Sequence, residues 1–227
     1  MSSPIIVALD MGPKSALELV NELDPNECKV KVGSQLFTSG GPEIIKKLKD
    51  SGFDIFLDLK FHDIPNTVKK AIEASIELGV WMLNVHALGS KEMLRTASQV
   101  IKQSSIKPFL IGVTVLTSLD DKSLKLVGFN KFVEDQVLLL AELCKQEGLD
   151  GVVCSPKEVG ILRKKLGNDF LLVTPGIRSN EMNKRDQKRT SSVELALQNG
   201  ANYVVIGREI TLDADPKGKL RQILETV

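Results

Sequence analysis

Eight short apolar runs, separated by amphipathic segments, constrain the fold of this chain more than any other feature. They are rich in Val, Ile, Leu and Phe, which is typical of strands that are covered on both faces. The runs are residues 5–10, 28–33, 53–60, 81–86, 109–116, 151–155, 170–175 and 203–207. Their alternation with helical segments predicts an α/β fold with a parallel sheet.

The segments between these runs have helical periodicity, with Glu or Lys on the faces away from the apolar positions. The clearest are residues 16–23, 68–78, 132–144 and 193–197. Glycines stand where several helices would end, at positions that suit a left-handed cap. These are Gly52, Gly79, Gly148, Gly167 and Gly200.

Eight strand–helix units in 227 residues fit a single-domain (β/α)₈ TIM barrel that spans residues 1–227. A doubly wound open sheet is the alternative, because strand–helix alternation alone does not separate the two. Polar side chains favour the barrel, since they stand near the carboxyl end of nearly every run, where a barrel would gather them at one mouth. They are Asp10, Lys31, Asp58, Lys60, His86, Thr117, Ser118, Arg178 and Arg208.

Composition excludes several classes of protein. The formal net charge is +1, so no global field favours nucleic acid or an anionic membrane as a partner. Three cysteines without paired spacing do not predict a disulfide scaffold. No apolar run approaches membrane-spanning length, and the first residues do not resemble a signal peptide. We therefore expect a cytoplasmic protein.

The segment FLDLKFHDIPNT follows a buried strand with three ionisable side chains, Asp58, Lys60 and Asp63. Strand side chains alternate between faces, so Asp58 and Lys60 point the same way. Pro65 predicts the first turn of a helix, and Asp63 stands just before it, where the helix dipole favours a carboxylate. We expect these two carboxylates to flank Lys60 and keep it protonated.

A second lysine is expected at the same mouth. Lys31 ends the CKVKV run and Lys29 shares its parity, so one or both face inward. A salt-bridge cluster that closes the barrel is the structural alternative, but Asp10 and His86 on neighbouring strand ends favour a functional site. His86 is interpreted as a structural histidine. Carboxylates interleaved with lysines suit a divalent metal poorly, and no His/Cys spacing indicates zinc, so no metal is expected.

The loops after the last two strands predict a phosphate site. Residues 176–190 carry a basic loop, and Gly207 with Arg208 follows the eighth strand. Barrels commonly bind phosphate with these two loops, and the arginine fork donates paired hydrogen bonds to it. A solvated surface loop is the alternative for the basic segment, whose length also suggests a lid. The residues thus predict a cofactor-independent barrel enzyme that acts on a phosphorylated small molecule.

The motifs IVALD, KVG, DLKFHDIPNT, NVHA, VLTS, TPGIR, DQKR and IGR occur in this order between Ile5 and Arg208. In this order and spacing the chain resembles the orotidine 5′-phosphate decarboxylase family over nearly its whole length. The D-x-K-x-x-D pattern alone also occurs in sibling barrel decarboxylases and synthases of sugar phosphates. The resemblance implies conversion of orotidine 5′-monophosphate to UMP and carbon dioxide in de novo pyrimidine synthesis, without metal or organic cofactor.

The resemblance also implies roles for individual residues. Lys60 would be the general acid that protonates C6 of the pyrimidine, Asp58 would lie near the departing carboxylate, and Lys31 would hold the charged network and the ribose. Asp63 and Thr67 would reach into the active site of the partner subunit, which implies an obligate homodimer. The substrate-binding residues implied are Asp10 at the ribose hydroxyls, Thr117 and Ser118 at the pyrimidine edge, and Arg178, Gln187, Gly207 and Arg208 at the phosphate.

Two departures from the family pattern are visible. Glu209 replaces the proline of the usual G-R-P, and Lys184-Arg185 precedes Asp186 where the family often has G-D. Two rival functions stay open. One is a metal-dependent decarboxylase of a keto sugar phosphate, although such enzymes usually place an acidic residue where Lys31 stands. The other is a phosphate-binding barrel without catalysis.

Overall fold

The computed structural model describes residues 3–177 and 192–227. Its eight strands are β1 Ile5–Ala8, β2 Lys29–Gly33, β3 Ile55–Phe61, β4 Met82–His86, β5 Phe109–Val113, β6 Gly151–Val153, β7 Leu171–Pro175 and β8 Tyr203–Ile206. All neighbouring strands are parallel, and β1 pairs with β8, with Ile6 opposite Val205, so that the sheet closes. The predicted (β/α)₈ barrel is confirmed, and the open sheet is wrong.

The helices of the described residues follow the strands and cover the outside of the barrel. They are α1 Pro13–Val20, α2 Ser34–Asp50, α3 Pro65–Glu77, α4 Lys91–Gln103, α5 Asp121–Leu126, α6 Val133–Gln146, α7 Val159–Leu166, α8 Val193–Gln198, α9 Arg208–Thr211 and α10 Pro216–Leu224, with a 3₁₀ turn at Ala87–Gly89. The five glycines predicted as helix ends follow α2, α3, α6, α7 and α8, with φ between 70° and 106°. The four segments predicted from periodicity overlap α1, α3, α6 and α8.

The core has two layers because the strand side chains alternate in direction. Ile5 and Val7 of β1 point outward into the apolar layer between sheet and helices. Ile6 and Ala8 point inward and pack with Phe56 in the barrel interior. Each strand therefore buries both faces, as its apolar composition predicted.

The amino ends of the strands close the barrel around Lys29. Its Nζ lies 5.1 Å from the ring centroid of Trp81 and 5.5 Å from that of Tyr203, and it donates a hydrogen bond to the Ser3 carbonyl at 3.1 Å. Burial lowers the pKa of Lys29. Lys29 and Lys31 thus both face inward, but Lys29 lies at the end of the barrel opposite the mouth and belongs to its structural closure.

Candidate active site

The carboxyl ends of the strands surround a cavity of about 1070 Å³ at the mouth of the barrel. Of the residues predicted for the site, seven line it: Asp10, Lys31, Asp58, Lys60, Thr117, Gly207 and Arg208. Three others, Asp63, Thr67 and Ser118, are exposed and lie outside its wall. Arg178, Gln187 and most of the predicted lid lie outside the described residues.

Asp58 is the centre of a charged network at the end of β3. Lys60 Nζ lies 2.7 Å from its Oδ1, and Lys31 Nζ lies 3.2 Å from its Oδ2. Burial alone would raise the pKa of Asp58, but the two ammonium groups and a hydrogen bond from Asn84 outweigh it and hold the pKa below its ordinary value. The carboxylate therefore stays charged in a position from which most water is excluded.

Lys31 is the lysine that lies between two carboxylates. Its Nζ is 3.0 Å from Asp10 Oδ1 and 3.2 Å from Asp58 Oδ2. Burial disfavours its charge, yet Asp58 and Asp10 together raise the pKa of Lys31 above its ordinary value. We expected Asp58 and Asp63 to flank Lys60, whereas in the single chain Lys60 forms its ion pair with Asp58 and the flanked position belongs to Lys31. The reason is that Lys31 projects from β2 between the ends of two neighbouring strands.

Lys60 has an unusual backbone for a lysine. Its φ is +54°, in the left-handed region that residues with a side chain seldom adopt. It lies in an irregularity of the β3–β4 pairing, where β3 advances from Leu57 to Phe61 while β4 advances only from Leu83 to Val85. This conformation brings its ammonium group to Asp58 at the cavity wall.

Sequence reasoning missed Asn84, which is fully buried on β4. Its Nδ2 donates to Asp58 Oδ1 at 2.7 Å, and its Oδ1 accepts from the Lys60 backbone N–H at 2.8 Å. The available signal was an amide in the apolar run WMLNVH, at the same parity as the inward-facing Met82. An amide buried among apolar residues needs polar partners, which are here two residues of the predicted site.

Asp63 and Thr67 stand at the start of α3, which begins at Pro65 as predicted. Asp63 Oδ1 accepts from the Ile64 backbone N–H at 2.7 Å, and the Thr67 N–H donates to the Ile64 carbonyl at 3.0 Å. Both side chains are exposed, so in one chain they do not complete the network around Asp58. Their role across a dimer stays a prediction.

The predicted phosphate side of the cavity is formed by the end of β8 and the start of α9. Gly207 and Arg208 line it, together with Glu209 and Lys219. Glu209 Oε1 lies 3.4 Å from Lys219 Nζ. The residue that replaces the family's usual proline is thus part of an ion pair in the cavity wall.

His86 stands behind the network and not in the cavity wall. Its ring centroid lies 5.3 Å from that of His62, and its buried Nδ1 has no hydrogen-bond partner among the described residues. Burial, His62 and Lys60 lower the pKa of His86. These effects favour the neutral ring. The interpretation of His86 as a structural, hydrogen-bonded histidine stays a prediction, because no described residue is hydrogen-bonded to Nδ1.

Within residues 3–177 and 192–227, no group of three or more His, Cys, Asp or Glu side chains is placed to hold a metal ion. In the same part of the chain, no helix combines the length and the apolarity that crossing a membrane requires.

Comparison with known proteins identifies the family. Residues 3–223 match the model of the orotidine 5′-phosphate decarboxylase / HUMPS family. The orotidine 5′-phosphate decarboxylase of Saccharophagus degradans is 50% identical over 220 residues, which cover 96% of this chain and 92% of that protein. The Nitrosococcus oceani enzyme of the same name is 51% identical over 222 residues, covering 97% of this chain and 96% of that protein.

The likeness extends to solved structures. A crystal structure of orotidine 5′-phosphate decarboxylase from Lactobacillus acidophilus matches with a TM-score of 0.88 and 39% identity, and the match covers 99% of each chain. Since the family model spans nearly the whole sequence and full-length relatives share about half of its residues, the chain belongs to the orotidine 5′-phosphate decarboxylase / HUMPS family.

Proposed function

We propose that this protein decarboxylates orotidine 5′-monophosphate to UMP and carbon dioxide, as a step of pyrimidine biosynthesis. The observation that carries the proposal is the pairing of Asp58 with both Lys31 and Lys60 at the barrel mouth, in a chain that belongs to this family. The array places two fixed ammonium groups and a buried carboxylate beside a cavity large enough for a nucleotide. It suits a reaction that develops negative charge on carbon and then needs one proton.

Lys60 is the proposed general acid. The bond between C6 and the carboxylate carbon breaks, its electron pair stays on C6, and carbon dioxide leaves. The Lys60 ammonium stabilises this carbanion and then gives C6 a proton, which solvent later returns to the amine. Two features support the role: the side chain is 35% exposed and so reaches the cavity, and its Nζ is already anchored 2.7 Å from Asp58.

Asp58 is proposed to lie near the departing carboxylate of the substrate. Like-charge repulsion would raise the energy of the bound substrate and would fall as carbon dioxide forms. The depressed pKa of Asp58 supports this role because the group stays ionised. We rank this repulsion below stabilisation of the carbanion, since the Lys60 ammonium that stabilises the carbanion also supplies the proton.

Lys31 and Asp10 are proposed to hold the network and the ribose. Lys31 binds Oδ2 of the Asp58 carboxylate, while Lys60 binds Oδ1. The carboxylate therefore keeps a fixed position relative to the Lys60 ammonium. The Asp10 side chain is 60% exposed, so that it can still accept hydrogen bonds from ribose hydroxyls while paired with Lys31.

The remaining substrate contacts are assigned by position around the cavity. Gly207 and Arg208, with Arg178 and Gln187 from the segment outside the described residues, are proposed to bind the phosphate. Thr117 in the cavity wall and Ser118 beside it are proposed to meet the pyrimidine edge. A phosphate held far from the reacting carbon supplies binding energy that can order the site.

We further propose a homodimer in which Asp63 and Thr67 complete the partner's active site. Support comes from the exposure of both side chains at the start of α3, where they are open to contact with another chain. The cytoplasmic location remains a prediction from the sequence.

The test is a loss-of-absorbance assay with orotidine 5′-monophosphate in the presence of EDTA. Full turnover in EDTA is expected. Turnover of a keto sugar phosphate that requires magnesium would instead assign the protein to the metal-dependent members of the superfamily. Binding of UMP without turnover of either substrate would indicate a phosphate-binding barrel that lacks catalysis.

A further inference from the structure

Asn84 lies directly behind the catalytic pair of the proposed function. It is on β4, has no exposed surface, and does not line the cavity. Any effect it has on the reaction must therefore pass through the residues it contacts. The side-chain hydrogen bonds of Asn84 are with Asp58 and Lys60, both on the neighbouring strand β3.

The two ends of the Asn84 amide are used differently. The Nδ2 group donates to the Asp58 carboxylate, and the Oδ1 atom accepts from the Lys60 backbone N–H. An amide supplies a donor and an acceptor side by side, whereas a carboxylate supplies only acceptors. An amide at position 84 can therefore make both hydrogen bonds. A carboxylate of the same shape cannot, because it has no donor for Asp58.

Lys60 donates its backbone N–H to this acceptor from a left-handed conformation. At φ +54° within the β3–β4 irregularity, its N–H points to a side chain and not to a ladder carbonyl. A lysine in this left-handed region has no intrinsic preference for it, so the surroundings must hold it there. The hydrogen bond to Asn84 is one such interaction, and the direction of the Lys60 side chain follows from the backbone conformation.

Asp58 receives three donors on its two oxygens. Lys60 and Asn84 both donate to Oδ1, while Lys31 approaches Oδ2. The lysines are flexible side chains at the cavity edge, and Asn84 is the uncharged donor that lies wholly inside the barrel. It can keep the carboxylate in place while Lys60 moves toward a substrate carbon.

We propose that Asn84 is a positioning residue for the decarboxylation, whose side-chain amide fixes the Lys60 backbone and the Asp58 carboxylate relative to each other. This inference rests on the proposed function. It adds a buried residue of β4 to a site whose other members act at the cavity surface.

The decisive variant is Asn84→Asp, which keeps the shape of the side chain and its acceptor but replaces the donor by a second carboxylate. This carboxyl would face two charged groups of β3, Asp58 and Lys60. The other titratable groups nearby are Lys31 of β2, on the far side of Asp58, His86 of β4, and His62 just after β3. Two carboxylates this close share one proton readily, and the protonated acid reproduces both hydrogen bonds of the amide. The variant should therefore lose activity at high pH and regain it at low pH.

We expect kcat of Asn84→Asp to fall about 100-fold at pH 8, with the deficit relative to wild type shrinking at least threefold at pH 6. Affinity for UMP, measured by calorimetry, should stay within about threefold. Asn84→Ala should lose a similar factor in kcat at both pH values. Thr114→Val is the matched control, because Thr114, directly after β5, is also buried and its hydroxyl donates to the Val153 carbonyl; the kcat of this variant should be unchanged.

The outcomes separate the inference from the proposed function. No turnover of orotidine 5′-monophosphate by the wild type would contradict the proposed function itself. With an active wild type, a kcat for Asn84→Asp near the wild-type value, or a deficit equal at both pH values, would overturn the positioning role. If Asn84→Asp does not fold, Asn84→Ala decides, and a loss of UMP affinity as large as the loss of kcat overturns the role. Failure of both variants to fold, with Thr114→Val folded, would assign Asn84 to stability alone.

Discussion

Lys60 Nζ lies 2.7 Å from Oδ1 of Asp58, which stands two positions earlier on the same strand, β3. Side chains at this spacing share a face of the strand, and the left-handed backbone of Lys60 closes the remaining distance. The lysine is therefore held by a carboxylate on its own strand and by an amide of the next strand.

Replacing Lys60 by alanine should remove turnover and leave the binding of UMP largely intact. The ammonium is the proposed charge and proton donor for C6, and losing both functions should lower kcat by at least about 10³-fold. Product binding depends instead on the phosphate and ribose contacts. The measurement is the absorbance assay combined with calorimetric titration of UMP. Turnover like that of the wild type would refute the assigned role.

The pH dependence of stability should reveal the charged state of Asp58. Its pKa in the folded protein is below the ordinary value of 3.8, so its stabilising contribution is present above pH 3.8 and is lost as the pH falls through the lower folded value. Asn cannot titrate, so the difference in unfolding free energy between the wild type and Asp58→Asn should shrink from pH 5 to pH 2. Urea unfolding at several pH values measures it, with Asp169→Asn, at an exposed position between α7 and β7, as the control. A difference that stays constant over this range would contradict the depressed pKa.

The phosphate site should be sensitive to a single added methyl group at Gly207. Among the described residues, a Cβ there would meet Ala8 Cβ alone, at 3.7 Å, which is an ordinary contact, so this part of the fold should not shift. The methyl group would occupy space that the proposed phosphate needs, so Gly207→Ala should weaken UMP binding about tenfold, or about 1.4 kcal/mol. Uridine, which lacks the phosphate, is the matched control ligand and should bind both proteins equally. Equal weakening of both ligands would place the phosphate elsewhere.

Mixing two inactive variants should test whether Asp63 serves the partner subunit. Lys60→Ala and Asp63→Ala should each be inactive as homodimers. A heterodimer would contain one intact site, built from Lys60 of one chain and Asp63 of the other, so random mixing should restore about a quarter of the wild-type activity. Activity after co-refolding or co-expression is the measurement. If Asp63 acts within its own chain, no activity should return.

The sequence by itself determined the architecture of this protein. Apolar runs and helical periodicity depend on residues that are close together along the chain. A repeat of two residues for a strand or 3.6 residues for a helix can be read without knowing any distant contact. The same local patterns predicted that polar groups such as Lys31 and Asp58 gather at one mouth, since they stand at the carboxyl ends of parallel strands. The ends of helices were also visible, because glycine at a left-handed cap is a local requirement.

Only the tertiary structure decided how the gathered groups pair. That Lys31 and not Lys60 lies between two carboxylates in the chain depends on the closure and register of the barrel, which bring together residues far apart in sequence. The left-handed backbone of Lys60 has no sequence signal, because lysine has no preference for it. Asn84 likewise became part of the site only when β4 was placed beside the irregular end of β3, where its amide could reach both Asp58 and the Lys60 backbone. Local periodicity fixes which residues face inward, while the contacts among them are set by the packing of one strand against the next.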